Sequence, residues 1–204
     1  MASYTRWNSG RAVVKQGAHL VLSMDPAKRD GAMAAVVHPA PRNMGNMLES
    51  IVGVVRWRDH NEVIENGGLY QCMHAVALML DKIDLDKLAS FTVRVEGQFL
   101  SAGKPKAILG PAITAGIGMG VLVDVTARTE LVLGETARYE ILKPSEWRSC
   151  WSISGRRDRC KQLALQFSAP IFAAMGYTKP ATDDEAEALL MALAPLGLFS
   201  RLPI

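Results

Sequence analysis

Apolar and polar residues alternate along several short segments of the chain, and a period of two is the pattern of a β-strand. The clearest example is FTVRVE at residues 91–96, where every second residue is apolar. Four other segments predict strands: HLVLSMD at 19–25, AMAAVVH at 32–38, IVGVVRWRD at 51–59 and ARYEILK at 137–143. The first two of these four are expected to form a hairpin, because the turn PAKRDG lies between them.

Apolar residues recur instead at spacings of three and four in LYQCMHAVALMLDKI, which predicts a helix over residues 69–83. Three more helices are predicted, over the small-residue segment 107–120, near RRDRCKQLALQFSAPIF and near TDDEAEALLMALA. Three strands, a helix, a strand and then alternating helices and strands indicate a mixed α/β layer fold. We expect residues 1–17 to form a polar, basic N-terminal arm and residues 18–204 to form one domain.

Composition narrows the function classes only slightly. The 204 residues are enough for a hydrophobic core, and 23 lysines and arginines against 20 acidic residues permit nucleic-acid binding without identifying it. The three cysteines and four histidines show no zinc-site spacing, and cysteines without a disulfide pattern indicate a reducing compartment. A signal peptide is not expected, and the most apolar run, residues 107–123, is short for a membrane span and contains four glycines and a proline.

Two carboxylates stand at the ends of predicted strands. Asp25 ends an apolar strand and precedes Pro26, so it is either a site residue or an ordinary turn former. Glu96 ends FTVRVE and is followed at once by a glycine. For Glu96 the alternatives to a site residue are a pair with Arg94 and a solvated sheet edge.

A third group of acids opens the last predicted helix. Thr182 and Glu185 form a capping box, and Asp183 and Asp184 lie in the first turn, where the helix dipole favours anions. Helix-start chemistry does not explain Glu187, because the residues around it are apolar on all sides of the helix. Asp184 and Glu187 are three residues apart and so lie on one flank.

These acids together favour a metal site. Strand ends and helix starts can converge at one edge of a sheet, and an unpaired buried carboxylate is costly unless a cation compensates it. Hard oxygen ligands suit Mg²⁺ or Mn²⁺. Two such ions can activate a water and stabilise the leaving oxygen in phosphodiester hydrolysis, a reaction that needs no side-chain nucleophile.

Two other motifs have competing interpretations. AGIGMG at 115–120 has the spacing GxGxG rather than GxGxxG, which favours close helix packing over nucleotide binding. RWRD at 56–59 and SEWR at 145–148 combine tryptophan with arginine. This pairing suits stacking on nucleic acid, and equally a core tryptophan beside an arginine whose charged end reaches solvent.

DPAKRDG after an apolar strand, VEGQF after a second strand and DDEAEALLMAL near the end of the chain resemble the RuvC-like Holliday junction resolvases of the RNase H-like superfamily. The segments LGPAITAGIGMG, KPSEWR and SGRRDRCK follow in the family's order, so that the resemblance covers roughly residues 18–195. It implies an RNase H-like mixed five-stranded sheet flanked by helices. Departures from the family pattern in this chain are of a kind common in its phage and viral branches.

The resemblance implies roles for individual residues. Asp25, Glu96, Asp184 and Glu187 match the family's catalytic metal ligands for Mg²⁺ or Mn²⁺, although the family usually has aspartate at the last position. Lys161 matches the basic residue near the scissile phosphate, but the glycine-rich loop before it is reduced to SISGRRDR.

One of the metal ligands has an alternative, and four basic residues are expected to contact DNA. Asp183 could replace Asp184, because Asp183 and Glu187 are also helix neighbours, at i and i+4. Arg148, Arg156 and Arg157, together with Lys161, are expected to bind DNA through phosphate contacts.

The resemblance implies a homodimeric endonuclease that resolves four-way DNA junctions by paired symmetric nicks, cytoplasmic and associated with the nucleoid, with no membrane partner. Three alternatives remain: a nuclease of this fold acting on RNA or other branched DNA, a junction-binding protein that cuts nothing, and an ATP-binding protein of the actin-like fold. Clustered acids count against a pure binder, and the missing second phosphate loop counts against the ATP-binding protein.

Overall fold

The computed structural model describes residues 4–7, 15–25, 30–38, 48–58, 67–97 and 109–195. Its centre is a six-stranded mixed sheet with the order β1-β4-β3-β2-β5-β6. The strands are β1 (Tyr4–Trp7), β2 (Ala18–Asp25), β3 (Asp30–His38), β4 (Ile51–Arg58), β5 (Leu88–Glu96) and β6 (Ala137–Leu142). Each of the five predicted strands is present.

The described helices alternate with the later strands. They are α1 (Gly67–Leu80), α2 (Leu109–Arg128), α3 (Pro144–Ser149), α4 (Arg157–Ala174) and α5 (Asp183–Leu193), with a 3₁₀ turn at Leu85–Lys87 before β5. None of the described helices is long and apolar enough to cross a membrane.

Pairing directions place the ends of β2 and β5 together. β2 runs antiparallel to β3, as the predicted hairpin requires, and β3 runs antiparallel to β4. β5 is parallel to β2 on one side and to β6 on the other. Because parallel strands end at the same edge of a sheet, the last residues of β2 and β5 are neighbours.

Alternation along the strands gives the sheet two covered faces. Met33 and Ala35 of β3 pack in a core with α1 and α2. Ala32 and Ala34, one residue out of step with them, pack against α4 and α5 on the other face. Alanines on both the sheet and α5 allow the helix to lie close to the strands, and every residue from Glu185 to Leu193 is buried, as the apolar pattern predicted.

The N-terminal arm contributes a strand that the sequence pattern did not predict. β1 pairs antiparallel with β4, with Tyr4 opposite Arg56, and adds an edge strand to the five predicted ones. The segment YTRW has two polar residues in succession and therefore lacks the strict alternation that predicts a strand. The division of the chain into an arm and a domain stays a prediction, and much of the arm, like the turn at residues 26–29, lies outside the described residues.

Two segments differ in extent from their predictions. α2 continues to Arg128 rather than ending near residue 120, because Val121, Leu122 and Val125 keep helical spacing and are buried in the core. KPSEWR forms the short helix α3, which begins with Pro144. The side chain of Glu146 accepts a hydrogen bond from the backbone N–H of Lys143 at 2.7 Å and caps this helix.

Candidate metal centre

Two of the predicted acids meet at the edge of the sheet. Asp25 is the last residue of β2 and Glu96 the last of β5, and the preceding residues Met24 and Val95 are paired across the two strands. Asp25 is only 4% exposed and Glu96 only 7%. The parallel register therefore places two buried carboxylates side by side.

Helix α5 brings a third carboxylate to the pair. Thr182 accepts a hydrogen bond from the backbone N–H of Glu185, and the Glu185 side chain accepts one from Thr182 N–H at 2.8 Å, so the predicted capping box is confirmed. Two residues further on, Glu187 is 4% exposed. Carboxylate oxygens of Asp25, Glu96 and Glu187 all lie within 4.8 Å of one another; we call these three residues the acid cluster.

The fourth predicted acid lies beside the acid cluster. Asp184 is half-buried, and its charge raises the pKa of Asp25, though it is not one of the three residues whose oxygens converge. Asp183 instead forms an ion pair with Lys161 of α4. Burial alone would raise the pKa of Asp183, but the hydrogen bond and charge of Lys161 outweigh burial and lower it.

Like charges in a buried site disfavour ionisation of the acid cluster. Burial, followed by the charges of Glu96 and Glu187, raises the pKa of Asp25 well above its usual range. Burial also raises the pKa of Glu96, against opposing contributions from Trp147 and Arg148. The pKa of Glu187 is raised by burial and by Glu96. Full ionisation of the acid cluster is therefore disfavoured in these surroundings.

Helix α3 supplies hydrogen-bond and ion-pair partners to the acid cluster. Arg148 Nη2 lies 2.8 Å from Glu187 Oε1 and 3.6 Å from Glu96 Oε1. Trp147 Nε1 donates a hydrogen bond to Glu96 Oε1 at 2.9 Å, from a fully buried ring. The Nε atom of Arg148 is buried without a hydrogen-bond partner. One guanidinium thus faces two of the three carboxylates.

The structure places the other predicted basic residues around the same edge. Arg156 and Arg157 are exposed at the start of α4, and Lys161 follows one turn later. The charges of Arg157 and Lys161 both lower the pKa of Glu96, which shows that they lie near the acid cluster. Arg148, predicted to bind DNA, instead contacts the acids in this structure, and its DNA contact stays a prediction.

The donors of the acid cluster fit a hard divalent cation. All three residues offer carboxylate oxygens, the ligand type that Mg²⁺ and Mn²⁺ prefer. Among the described residues, Arg148 is the cation that forms ion pairs with this cluster, and a divalent ion would stabilise the ionised carboxylates that burial disfavours. The acid cluster could therefore hold a metal ion.

Comparison with known structures identifies the fold. Thermus thermophilus RuvC in complex with a Holliday junction substrate matches with a TM-score of 0.56 and 11% sequence identity, covering 86% of this chain and 91% of that chain. The chain has a RuvC-like fold. A further structure of Thermus thermophilus RuvC matches with a TM-score of 0.53 and 11% identity, covering 86% and 92% of the two chains.

The five strands shared with this fold are those from β2 to β6, so the predicted RNase H-like mixed five-stranded sheet flanked by helices is confirmed. A scan against protein-family models and a search of curated proteins each find no match. The likeness to the solved RuvC structures is therefore one of fold.

Sequence reasoning missed how α3 contacts the acid cluster. The motif SEWR left two readings open, nucleic-acid stacking and a core tryptophan, and the ring of Trp147 is a core residue. Its indole N–H, however, also holds Glu96 in place. The N–H of a buried tryptophan usually has a hydrogen-bond acceptor. A carboxylate at the end of a strand, such as Glu96, could have been considered as that acceptor.

Proposed function

We propose that the protein is a metal-dependent endonuclease that resolves four-way DNA junctions by paired symmetric nicks. The observation that carries this proposal is the acid cluster, which lies at the ends of two parallel strands in a RuvC-like fold. A RuvC structure with this fold is described in complex with a Holliday junction substrate. Buried acids without enough cationic partners suit a site that operates with divalent ions.

In the proposed mechanism Asp25, Glu96 and Glu187 would hold Mg²⁺ or Mn²⁺, and Asp184, whose charge acts on Asp25, would assist them. The bound ions would supply an activated water and charge stabilisation for the leaving oxygen of the phosphodiester. Trp147 fixes the orientation of Glu96 through its N–H. Helix α5 and the sheet exclude bulk water from the carboxylates, which strengthens every electrostatic interaction there.

Basic residues at the start of α4 are proposed to position the DNA. Arg156 and Arg157 are exposed at the start of α4, and Lys161, one turn later, pairs with Asp183. The charges of Arg157 and Lys161 both act on Glu96 of the acid cluster. Such residues bind phosphates without reading sequence, and they would offset the repulsion between the acids and the DNA backbone. We propose that Arg148 also turns to a phosphate when metal ions occupy the carboxylates.

We further propose a homodimer that acts on nucleoid DNA in the cytoplasm. A four-way junction offers two equivalent strands to cut, whereas the described part of one chain contains one acid cluster. Two copies related by a two-fold axis would supply two sites with matching geometry. A measured solution mass of two chains would support this arrangement. The departure at Glu187 is consistent with a phage or viral branch of the family.

The direct test of the proposed activity is cleavage of a labelled four-way junction beside a linear duplex of the same sequence, with and without Mg²⁺ or Mn²⁺. We expect paired nicks at symmetric positions in the junction only, and only with metal. Cleavage of RNA or of other branched DNA instead would keep the chemistry and change the substrate. Junction binding without cleavage in either metal would favour the non-cleaving alternative.

The pairing of Lys161 with Asp183 predicts which of two neighbouring acids matters for activity. Successive residues of an α-helix point about 100° apart, so Asp183 and Asp184 cannot serve the same site equally. Because the charge of Asp184 reaches Asp25, we expect Asp184→Asn to reduce metal-dependent cleavage about tenfold to 100-fold. Asp183→Asn, the matched control, should reduce it less; the reverse order would assign the metal to Asp183.

Proposed phosphate contacts predict a strong salt dependence of junction binding. Each neutralised phosphate contributes about 0.9 to the slope of log affinity against log salt concentration. Arg157→Gln should therefore lower this slope by about one and leave junction selectivity unchanged. Arg128→Gln, on α2 at the opposite face of the sheet, is the control. An unchanged slope in Arg157→Gln would remove this residue from the DNA interface.

A further inference from the structure

Strand β5 carries a buried arginine two residues before Glu96. Arg94 is 0% exposed, and its Nε donates to Glu140 of β6 at 2.8 Å. Its Nη1 donates to the carbonyl oxygens of Met191 at 3.0 Å and Ala194 at 2.8 Å. Its Nη2 donates to that of Pro195 at 3.4 Å. One guanidinium from the sheet thus binds the end of α5.

These contacts satisfy a known requirement of helix ends. The last four carbonyl groups of a helix have no partner within it, and the C-terminus carries partial negative charge that a cation stabilises. α5 has no basic residue in its own last turn. Arg94 supplies that cation from the neighbouring strand, and Glu140 together with the carbonyls compensates the burial of its charge.

The spacing of the contacts connects Arg94 to the acid cluster. Arg94 and Glu96 face the same side of β5 and are two residues apart, which is about 6.6 Å along a strand. On α5, Glu187 and Met191 are four residues apart, which is about 6 Å along a helix. The helix and the strand therefore meet at two points that have nearly the same spacing on each element. Arg94 binds the carbonyl of Met191 at one point, and Glu187 lies beside Glu96 at the other.

Strand β2 repeats this arrangement. Ser23 lies two residues before Asp25, and its hydroxyl donates to the carbonyl oxygen of Ala188 in α5 at 2.5 Å. Ser23 and Arg94 are paired across β2 and β5. Each strand that ends in an acid of the cluster thus also binds α5 two residues earlier. A slide of α5 along the sheet would break both contacts.

We propose that Arg94 is a positioning residue of the metal site, because it sets where α5 lies along β5 and so the spacing of Glu187 from Asp25 and Glu96. This inference rests on the proposed metal-binding function of the acid cluster. The contacts that carry this inference run from Arg94 to backbone carbonyls at the end of α5. Arg94 acts through the backbone of α5, and its loss changes how well the cluster binds a divalent ion.

The test is the affinity of the full chain for Mn²⁺, measured by calorimetry without DNA. Arg94→Met removes every hydrogen bond from Arg94 to the end of α5. Arg94→Lys keeps the charge but replaces the planar guanidinium, whose separate nitrogens bind Glu140 and the carbonyls, by a single ammonium nitrogen. We expect about tenfold to 100-fold weaker Mn²⁺ binding in Arg94→Met and a smaller loss in Arg94→Lys. If Arg94→Met does not fold, Arg94→Lys carries the test. Saturating Mn²⁺ should restore junction cleavage by Arg94→Lys.

A matched control separates positioning from stability. Phe91 lies on the same strand, is 0% exposed and packs in the core under α1 and α2. Phe91→Leu should lower the unfolding temperature and leave Mn²⁺ affinity within about twofold of wild type. Wild-type affinity in both Arg94 variants, or an equal loss in Phe91→Leu, would overturn the proposal and leave the proposed function intact. No Mn²⁺ binding by the wild-type protein would overturn the metal site and, with it, this inference.

Discussion

Asp25→Asn is expected to abolish metal-dependent cleavage and, at the same time, to stabilise the metal-free protein. Asparagine keeps the size of the side chain but cannot ionise, and burial and three neighbouring acids disfavour the ionised form of Asp25. Losing a ligand of the catalytic ions costs several kcal/mol of transition-state stabilisation, or about 1000-fold in rate. Removing the buried charge should raise stability by about 1 kcal/mol, which is about 2–4 °C in unfolding temperature for a domain of this size.

Junction cleavage and thermal unfolding of Asp25→Asn, both with and without Mg²⁺, measure these two effects. Asp124→Asn is the matched control, because Asp124 is a partly exposed aspartate of α2 that pairs with Arg128. The variant should still bind the junction, since it loses negative charge near the phosphates. Cleavage at the wild-type rate by Asp25→Asn would contradict the proposal that Asp25 is a metal ligand. A lowered unfolding temperature would contradict the prediction that the charge of Asp25 destabilises the metal-free protein.

Arg148→Gln should have the opposite effect on stability. Without this arginine, Glu187 and Glu96 lose the one cation that the described part of the chain places within 4 Å of both. Breaking a buried ion pair by removing one partner costs about 3 kcal/mol or more, so the metal-free protein should unfold about 6–12 °C lower. A divalent ion then has no guanidinium to displace, so Mg²⁺ should bind more tightly and stabilise the variant more than it stabilises the wild type.

Thermal unfolding of wild type and Arg148→Gln over a Mg²⁺ titration measures this difference. Arg128→Gln is the matched control, because it removes the same side chain from an exposed pair with Asp124, and exposed pairs contribute little. An equal Mg²⁺-induced shift in wild type and Arg148→Gln would show that Arg148 and the ion do not compete for the same carboxylates.

Much of the site could be predicted because it follows from local sequence. Asp25 and Glu96 each end an alternating apolar segment, and parallel strands bring such ends to one edge. Glu187 stood out as a charge in a helix that is otherwise apolar on all sides. These are properties of single elements, and only their convergence required the fold.

The partners of the acids could not be predicted in the same way. Trp147 is 51 residues from Glu96 in the chain, and Arg148 is 39 residues from Glu187. The choice between Asp183 and Asp184 depends on the position of Lys161 in α4. Helix periodicity within α5 cannot predict the position of a residue on another helix. Arg94 reads as one polar position of an alternating strand, and its contacts with α5 exist only after the helix has packed on the sheet.

The proposed metal site is tested most directly by locating Mn²⁺ in a crystal of the wild-type protein through its anomalous scattering. We expect a strong peak bound by carboxylate oxygens of Asp25, Glu96 and Glu187, with Arg148 turned away from Glu187. A crystal soaked in Mn²⁺ with no peak among these three residues, and Arg148 still paired with Glu187, would contradict the proposal that the acid cluster is the catalytic centre.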